Sequence, residues 1–337
     1  MSSYSRGRGR RGCVLKKVIV IAIIVALIVG VVFFFGRKFS FGIFNIFNMG
    51  NNSGKNTQVT QNVKDGEKKD ELSEEEKQEL AKKEEEERLR KEEEEKTKYK
   101  PGTSHNNEAT AWAYSTKEVN QWILNPSTYT GEDKLVFLTF DDGPSEIYTA
   151  TVLDILKNYG VHGTFFIVGR AADGDHAKAL LERQIAEGHA VGLHTYSHEY
   201  SFLYPHRVAN VNNILLEVDK NLKSIRKSLG EEFNTPILRY PGGHMSWKQM
   251  GPADEALAQR NIYNIDWNVL TGDAEAKGSR RDIQGALENV KEDMAMYGGS
   301  PKVVVLLMHD IKPKSVDALP SIIEYYQSLG YKFCILS

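Results

Sequence analysis

From residue 134 onward, apolar runs of four to six residues alternate with stretches whose apolar positions recur every three or four residues. The first pattern predicts strands buried on both faces, and the second predicts amphipathic helices. Strands are expected at 135–140, 163–168, 190–193, 236–240, 263–267, 303–308 and 331–336, with helices at 148–158, 177–187, 207–229, 281–296 and 316–329. Alternation of this kind marks a parallel sheet with crossover helices, so the predicted fold class is α/β, and roughly 200 residues in such units suit one core.

The pattern changes twice before that region. Residues 18–36 (VIVIAIIVALIVGVVFFFG) carry no charge and no proline, and as a helix they would extend about 28 Å, close to the thickness of a bilayer's hydrocarbon layer. They are read as a transmembrane signal-anchor. Arg6, Arg8, Arg10, Arg11, Lys16 and Lys17 precede it, against Arg37 and Lys38 after it. That asymmetry puts the N-terminus in the cytosol and the rest of the chain outside, as a single-pass protein of the cell membrane. A cleaved leader fits less well, because the run ends in Phe33, Phe34 and Phe35 rather than small residues.

From residue 64 to 100 the chain is almost wholly Glu and Lys or Arg, with Ser73 and Glu76 placed for a capping box. Glu79 with Lys83, Glu84 with Arg88, Glu86 with Arg90, Glu87 with Lys91 and Glu92 with Lys96 have the i,i+4 spacing of ion pairs on one helix. Leu72, Leu80 and Leu89 form no heptad seam, so the segment is expected to be a solvated stalk, helical or disordered. The organisation read from the sequence is a cytosolic tail (1–17), an anchor (18–36), a linker and charged stalk (37–100), a transition segment (101–133) and an α/β domain (134–337). Trp112, Tyr114, Trp122 and Ile123 predict that the transition segment packs on that domain.

The formal net charge of −2 provides no basic face for a nucleic acid. Cys13 and Cys334, the two cysteines, lie on opposite sides of the predicted membrane and offer no disulfide framework or CxxC metal site.

Chemistry gathers where the predicted strands end. The run LVFLTFDDGPS leaves Asp141 and Asp142 at the first strand's C-terminus, before a Gly-Pro turn. After the third strand comes His194-Thr-Tyr-Ser-His198, and histidines at i and i+4 would share one face of a helical turn. With Asp142 they supply two imidazoles and a carboxylate, an open site for one divalent ion, while Asp141 is left to act as a base. Arg239, Asp273 and His309 follow or end later strands. Taken singly, a salt bridge, a loop cap and a strand-tip polar group would explain them. Their recurrence at strand C-termini is what points to a cleft. His105, His162, His176, His189, His206 and His244 are read as surface or packing residues.

These motifs, in this order, resemble the polysaccharide deacetylases with a NodB homology domain, carbohydrate esterase family four. TFDDGP (139–144), HTYSH (194–198), RYPGG (239–243) and LMH (307–309) carry the resemblance over residues 134–337. It implies a distorted (β/α) barrel of about seven parallel strands. It also implies Asp141 as general base, Asp142, His194 and His198 as metal ligands, and Arg239 as the residue that holds the base. The Tyr240 N–H would help the oxyanion, Leu307 would line the acetyl pocket, and His309 would be the general acid, tuned by Asp273. The family commonly has Asp-Trp at the fourth motif, where this chain has Asp273-Ala274; Trp267 is the candidate to supply part of the missing wall.

Anchor, stalk and domain together are similar to membrane-bound peptidoglycan deacetylases of Gram-positive bacteria. The expected reaction is metal-dependent removal of N-acetyl groups from an extracellular cell-wall glycan, foremost peptidoglycan GlcNAc, with MurNAc or chitin-like oligomers as alternatives. Zinc is the first choice of ion, with cobalt, nickel or manganese open, and the oligomeric state is open as well. Two competing classes are an iron-dependent oxygenase, which also uses two histidines and a carboxylate, and an inactive wall-binding protein.

Overall fold

The strand that begins at Lys134 is buried along its whole length after the first residue, and the other elements are laid around it. The computed structural model describes residues 73–337. The anchor read at 18–36, the basic tail and the linker before residue 73 lie outside the described residues. Among those described, no helix is long and apolar enough to cross a membrane.

Nine strands form one sheet: β1 (Ala113–Tyr114), β2 (Lys134–Asp141), β3 (Thr164–Ile167), β4 (Ala190–Leu193), β5 (Ile237–Leu238), β6 (Tyr263–Asn264), β7 (Val269–Leu270), β8 (Val303–His309) and β9 (Tyr331–Leu336). Every pairing between them is parallel. Seven make the arc β6-β5-β4-β3-β2-β8-β7, in which β2 is flanked along its length by β8. Its other edge is shared: β9 pairs with residues 134–137 and β3 with 139–141. The predicted seven-strand arc is present, as a half-barrel of NodB-like α/β type. Register fixes the site, because Asp141 pairs with His309 across β2 and β8.

Alternation along the buried strands separates two apolar layers. Val136, Leu138 and Phe140 of β2, with Val304, Leu306 and Met308 of β8, pack beneath the helices. Leu135 and Phe137, with Val303 and Val305, face the inside of the arc, where Trp112, Tyr114, Trp122 and Ile123 cover them as expected of the transition segment.

The main helices are α1 (Glu74–Thr97), α2 (Thr116–Leu124), α3 (Thr149–Tyr159), α4 (Ala177–Ala186), α5 (Val211–Leu229), α6 (Gly251–Ala258), α7 (Ala286–Met296) and α8 (Pro313–Ser328). α5 starts at Val211, not at residue 207, because Asn210 caps it by accepting from Asn213 N–H and Arg207 sits at φ 65°, outside the helical region. The helix expected over 281–296 is broken into Arg280–Ile283 and α7, with extended backbone at Gln284 and Gly285 between them. The strand expected at 263–267 is only β6, and β7 is a separate strand that lacks a long apolar run to announce it.

α1 buries no residue and opens with the predicted capping box between Ser73 and Glu76. Lys83, Lys91 and Lys96 pair with Glu79, Glu87 and Glu92. The other two expected pairs are replaced, since Arg88 takes Glu85 at 2.7 Å and Arg90 takes Glu94 at 3.5 Å. Beyond α1 the chain crosses the floor of the arc. Tyr99 Oη donates to Asn234 C=O and accepts from Asn234 N–H, and Trp112 stacks on His162 and donates to Gly188 C=O. Residues 162, 188 and 234 all precede strands, so α1 joins the domain at the strands' N-terminal side.

Phe137→Ala would leave a cavity in the inner layer, and the expected cost is about 3–5 kcal/mol. Urea unfolding followed by far-UV dichroism should show that loss as a lower midpoint with an unchanged slope.

Candidate active site

Asp141 ends β2, and the turn beyond it is built from residues with unusual backbone freedom. Asp142 takes φ 76°, a left-handed conformation that Asp tolerates better than most residues. Gly143 has no room for a side chain, because a Cβ there would collide with the Asp310 carboxylate. Asp310, fully buried, accepts a hydrogen bond from the Thr149 hydroxyl. Burial first, then the nearby Asp142 charge, push the Asp310 carboxyl up to about 7 against the opposing Thr149 bond. The sequence reading passed over Asp310, although it directly follows His309.

The histidine motif is a bent loop rather than the expected helical turn. Thr195 and His198 lie at φ 63° and 58°. Its backbone groups bond outward: Thr195 and Tyr196 carbonyls accept from Gly169 and Arg170 N–H, and Ser197 N–H donates to the buried Glu217 at 2.5 Å. Those outside partners replace the bonds a helix would make.

The two imidazoles still converge. His194 Nε2 and His198 Nε2 lie 3.5 and 3.4 Å from Asp142 Oδ1. One ligand atom from each of the three residues falls within 4.8 Å of the others. His194 Nδ1 donates to the Arg239 carbonyl at 2.8 Å, which leaves its Nε2 lone pair directed at Asp142. Asp142 Oδ1 is buried without a hydrogen-bond partner. A buried, unpartnered carboxylate oxygen facing imidazole nitrogens fits a divalent cation.

Two held groups flank this cluster. Arg239 Nη1 donates to Asp141 Oδ1 at 2.8 Å and to Thr139 Oγ1 at 2.7 Å, while Nε and Nη2 donate to the Ile265 and Asp266 carbonyls. Its guanidinium is fully buried, 4.2 Å from the centroid of the Phe166 ring. On the other side His309 Nδ1 donates to Asp273 Oδ1 at 2.8 Å, and Asp273 Oδ2 accepts the His309 N–H at 2.9 Å. His309 Nε2 points back toward Asp142 Oδ2, 3.9 Å away.

A cleft of about 290 Å³ joins them, and its walls include Asp141, Asp142, His194, His198, Asp273 and His309. Leu307 and Trp267 line it as well, as does Ala274 at the fourth motif. Tyr240 contributes no side chain, since its ring is buried and its hydroxyl donates to Asp254, but its N–H has no backbone acceptor among the described residues. Tyr200, Glu275 and Lys312 also line the cleft and were not singled out from sequence; Tyr200 lies 5.3 Å from the His198 ring. A run of aromatic residues just after the second histidine was the available signal. His244 lies outside the cleft, paired with Asp254 at 2.8 Å.

The electrostatics sort the groups. Burial alone would raise Asp142, but His194 and the other two histidines hold it well below the usual carboxylate range. Burial, then the neighbouring His194 imidazole, hold His198 below its ordinary range, which favours the neutral form that can ligate. Burial also opposes a charge on His309, yet its hydrogen bond to Asp273 and the carboxylates of Asp273, Asp141 and Asp142 outweigh that and raise it to about 9.

A parallel half-barrel with this constellation at its strand ends defines a NodB-like hydrolase. The family model for polysaccharide deacetylase matches residues 128–254. A peptidoglycan-N-acetylglucosamine deacetylase of Bacillus cereus is 30% identical over 209 residues, covering 62% of this chain and 71% of that protein. Among solved structures, a CE4 esterase of Streptococcus mutans is 42% identical with a TM-score of 0.66, over 72% of this chain and 99% of that one. The catalytic domain of a peptidoglycan N-acetylglucosamine deacetylase from Eubacterium rectale is 29% identical, with a TM-score of 0.52, over 63% of this chain and 94% of that one. The chain belongs to the polysaccharide deacetylase family, hydrolases of N-acetyl amides.

A histidine whose pKa is raised by folding stabilises the fold below its unfolded value, near 6.5, and loses that contribution as pH rises through about 9. Asp273→Asn should therefore bring the His309 titration down toward the ordinary imidazole range and remove its share of stability at neutral pH. Imidazole NMR across pH 5–10 on metal-free protein checks the first, and chemical denaturation at pH 6 and pH 10 checks the second.

Proposed function

We propose that this protein is a metal-dependent, membrane-anchored deacetylase of extracellular peptidoglycan, releasing acetate from GlcNAc and leaving a free amine. The observation that carries the reading is the placing of the Asp142–His194–His198 cluster between an Arg239-held Asp141 and an Asp273-held His309 in one cleft. Its anchoring and outside location rest on the apolar run at 18–36 and the basic residues before it.

Asp142, His194 and His198 would hold the ion, zinc by first choice. When bound, a divalent cation supplies Lewis acidity to an amide carbonyl and to water. The other residues handle protons and position. Asp141 has one oxygen occupied by Arg239 and the other 3.7 Å from His194 Nε2, facing the cluster, so it is placed to take a proton from the attacking water. The Tyr240 N–H is available to the developing oxyanion. His309 carries its proton at neutral pH and presents Nε2 to the cleft, where it delivers that proton to the departing sugar nitrogen. Leu307 and Trp267 wall the space for the acetyl methyl group. One water is consumed, the C–N bond breaks, and the products are acetate and an amine.

Asp141→Asn should lower acetate release by about 10²–10⁴-fold while the protein still binds its metal. Asp142→Asn should lose the metal as well, as elemental analysis of the two purified variants will show. Chelator treatment is expected to abolish activity, with recovery on adding zinc or cobalt. Oxygen consumption instead of acetate release would support the oxygenase reading.

Mass spectrometry of muropeptides from wall treated with the protein should show GlcNAc lighter by one acetyl group. Loss from MurNAc instead, or activity on chitin oligomers alone, would replace the GlcNAc assignment.

A further inference from the structure

A second cavity, of about 370 Å³, adjoins the catalytic cleft and is walled by α2, α6, β6 and the turn at His244 and Met245. The partition between them is thin. Gly242 and Trp267 face the cleft, whereas His244 and Asp266 face the cavity. Gly243 lies between, so close to Trp267 that a Cβ would come within 2.8 Å of the indole, and His244 N–H is tied to Asp266 Oδ1 at 2.9 Å. A glycan whose acetamide enters the cleft and whose chain runs over Gly242 and Gly243 brings its neighbouring sugar beside this cavity.

The lining has two kinds of unused chemistry. Lys117 is exposed, with its ammonium 5.6 Å from the Tyr263 ring centroid, and has no carboxylate partner among the described residues; the nearby Asp254 is taken by His244. Met245 and Leu124 stand on the rim 81% and 68% exposed, above the buried Leu257 and Ile262. The two lining carboxylates, Asp254 and Asp266, are both engaged by His244, which leaves Lys117 for an outside anion. An anion and small apolar groups are both presented by a short acidic peptide, whereas a glycan without peptide offers at most its lactyl carboxylate and little to the aliphatic rim.

We propose that this cavity binds the acidic peptide carried by the sugar next to the one being deacetylated, so that the protein prefers peptide-bearing glycan over bare glycan. The proposal rests on the peptidoglycan deacetylase reading and extends it to a site that reading does not use. Lys117 pairs with a peptide carboxylate, and the rim covers an alanine-sized side chain. These groups touch none of the reacting atoms, so they act on KM and not on kcat.

The test is steady-state acetate release by the full-length protein in detergent. One substrate is solubilised peptidoglycan strands, the other the same strands after an amidase has removed the peptides and the lactyl carboxylates so exposed have been capped as methylamides. Wild type should show a KM at least fivefold lower on the peptide-bearing strands. Lys117→Glu should raise that KM about tenfold with kcat within twofold, narrowing or removing the preference, and Lys117→Arg should keep it. Met245→Asp, a second exposed change that repels the peptide and removes the apolar rim, should act in the same direction. Equal kinetics of wild type on the two substrates, or a Lys117→Glu defect of the same size on both, would overturn the peptide site while leaving the deacetylase reading in place. No acetate from either substrate with metal-loaded wild type would overturn the deacetylase reading, and this inference with it.

Discussion

The buried guanidinium of Arg239 is the constraint around which this catalytic domain is arranged. A full charge placed out of water is tolerated only when its donors are met, and here four N–H bonds tie β5 to β2 and to the segment after β6. The Phe166 ring covers one face of the cation. The same residue's carbonyl accepts from His194 Nδ1 and so sets the tautomer of the first imidazole. One side chain and its own backbone thus orient an acid and a candidate metal ligand on different strands.

That arrangement exacts backbone strain nearby. Asp142, Thr195 and His198 all take positive φ, each typically costing on the order of 1–3 kcal/mol for residues other than glycine. Outside bonds to Glu217 and to the backbone of residues 169 and 170 hold the histidine loop in this form. The strain is what lets residues near in sequence, His194 and His198, meet a carboxylate that arrives from another strand. A relaxed helical turn after β4 would lack the bonds that hold this loop open toward Asp142.

The long strands were legible because both faces are buried: β2 and β8 read as unbroken apolar runs, and β4 and β9 were bounded as they stand. The reading blurred where burial is partial. β6 and β7 are two residues each, held by neighbours and not by their own pattern, and the helix predicted to begin at residue 207 starts at Val211 because the Asn210 cap, not periodicity, decides the boundary. Asp141, Asp142, His194, His198, Arg239, Asp273 and His309 could be picked out as strand-end chemistry, and the structure gathers them. The histidine loop's shape could not be read, because it depends on Glu217 twenty residues away. Asp310 and Lys312 were hidden for a similar reason, each acquiring its place only when β8 sets down beside β2.

The way α1 meets the domain has a geometric consequence. The chain leaving the helix is fastened through Tyr99 and Asn234 at the strands' starting edge, while every cleft residue on β2, β4, β5 and β8 stands at or just past the finishing edge. The foot of α1 and the catalytic mouth therefore lie at opposite ends of the strands. A change at that foot reaches the proton-handling groups only through the full depth of the sheet.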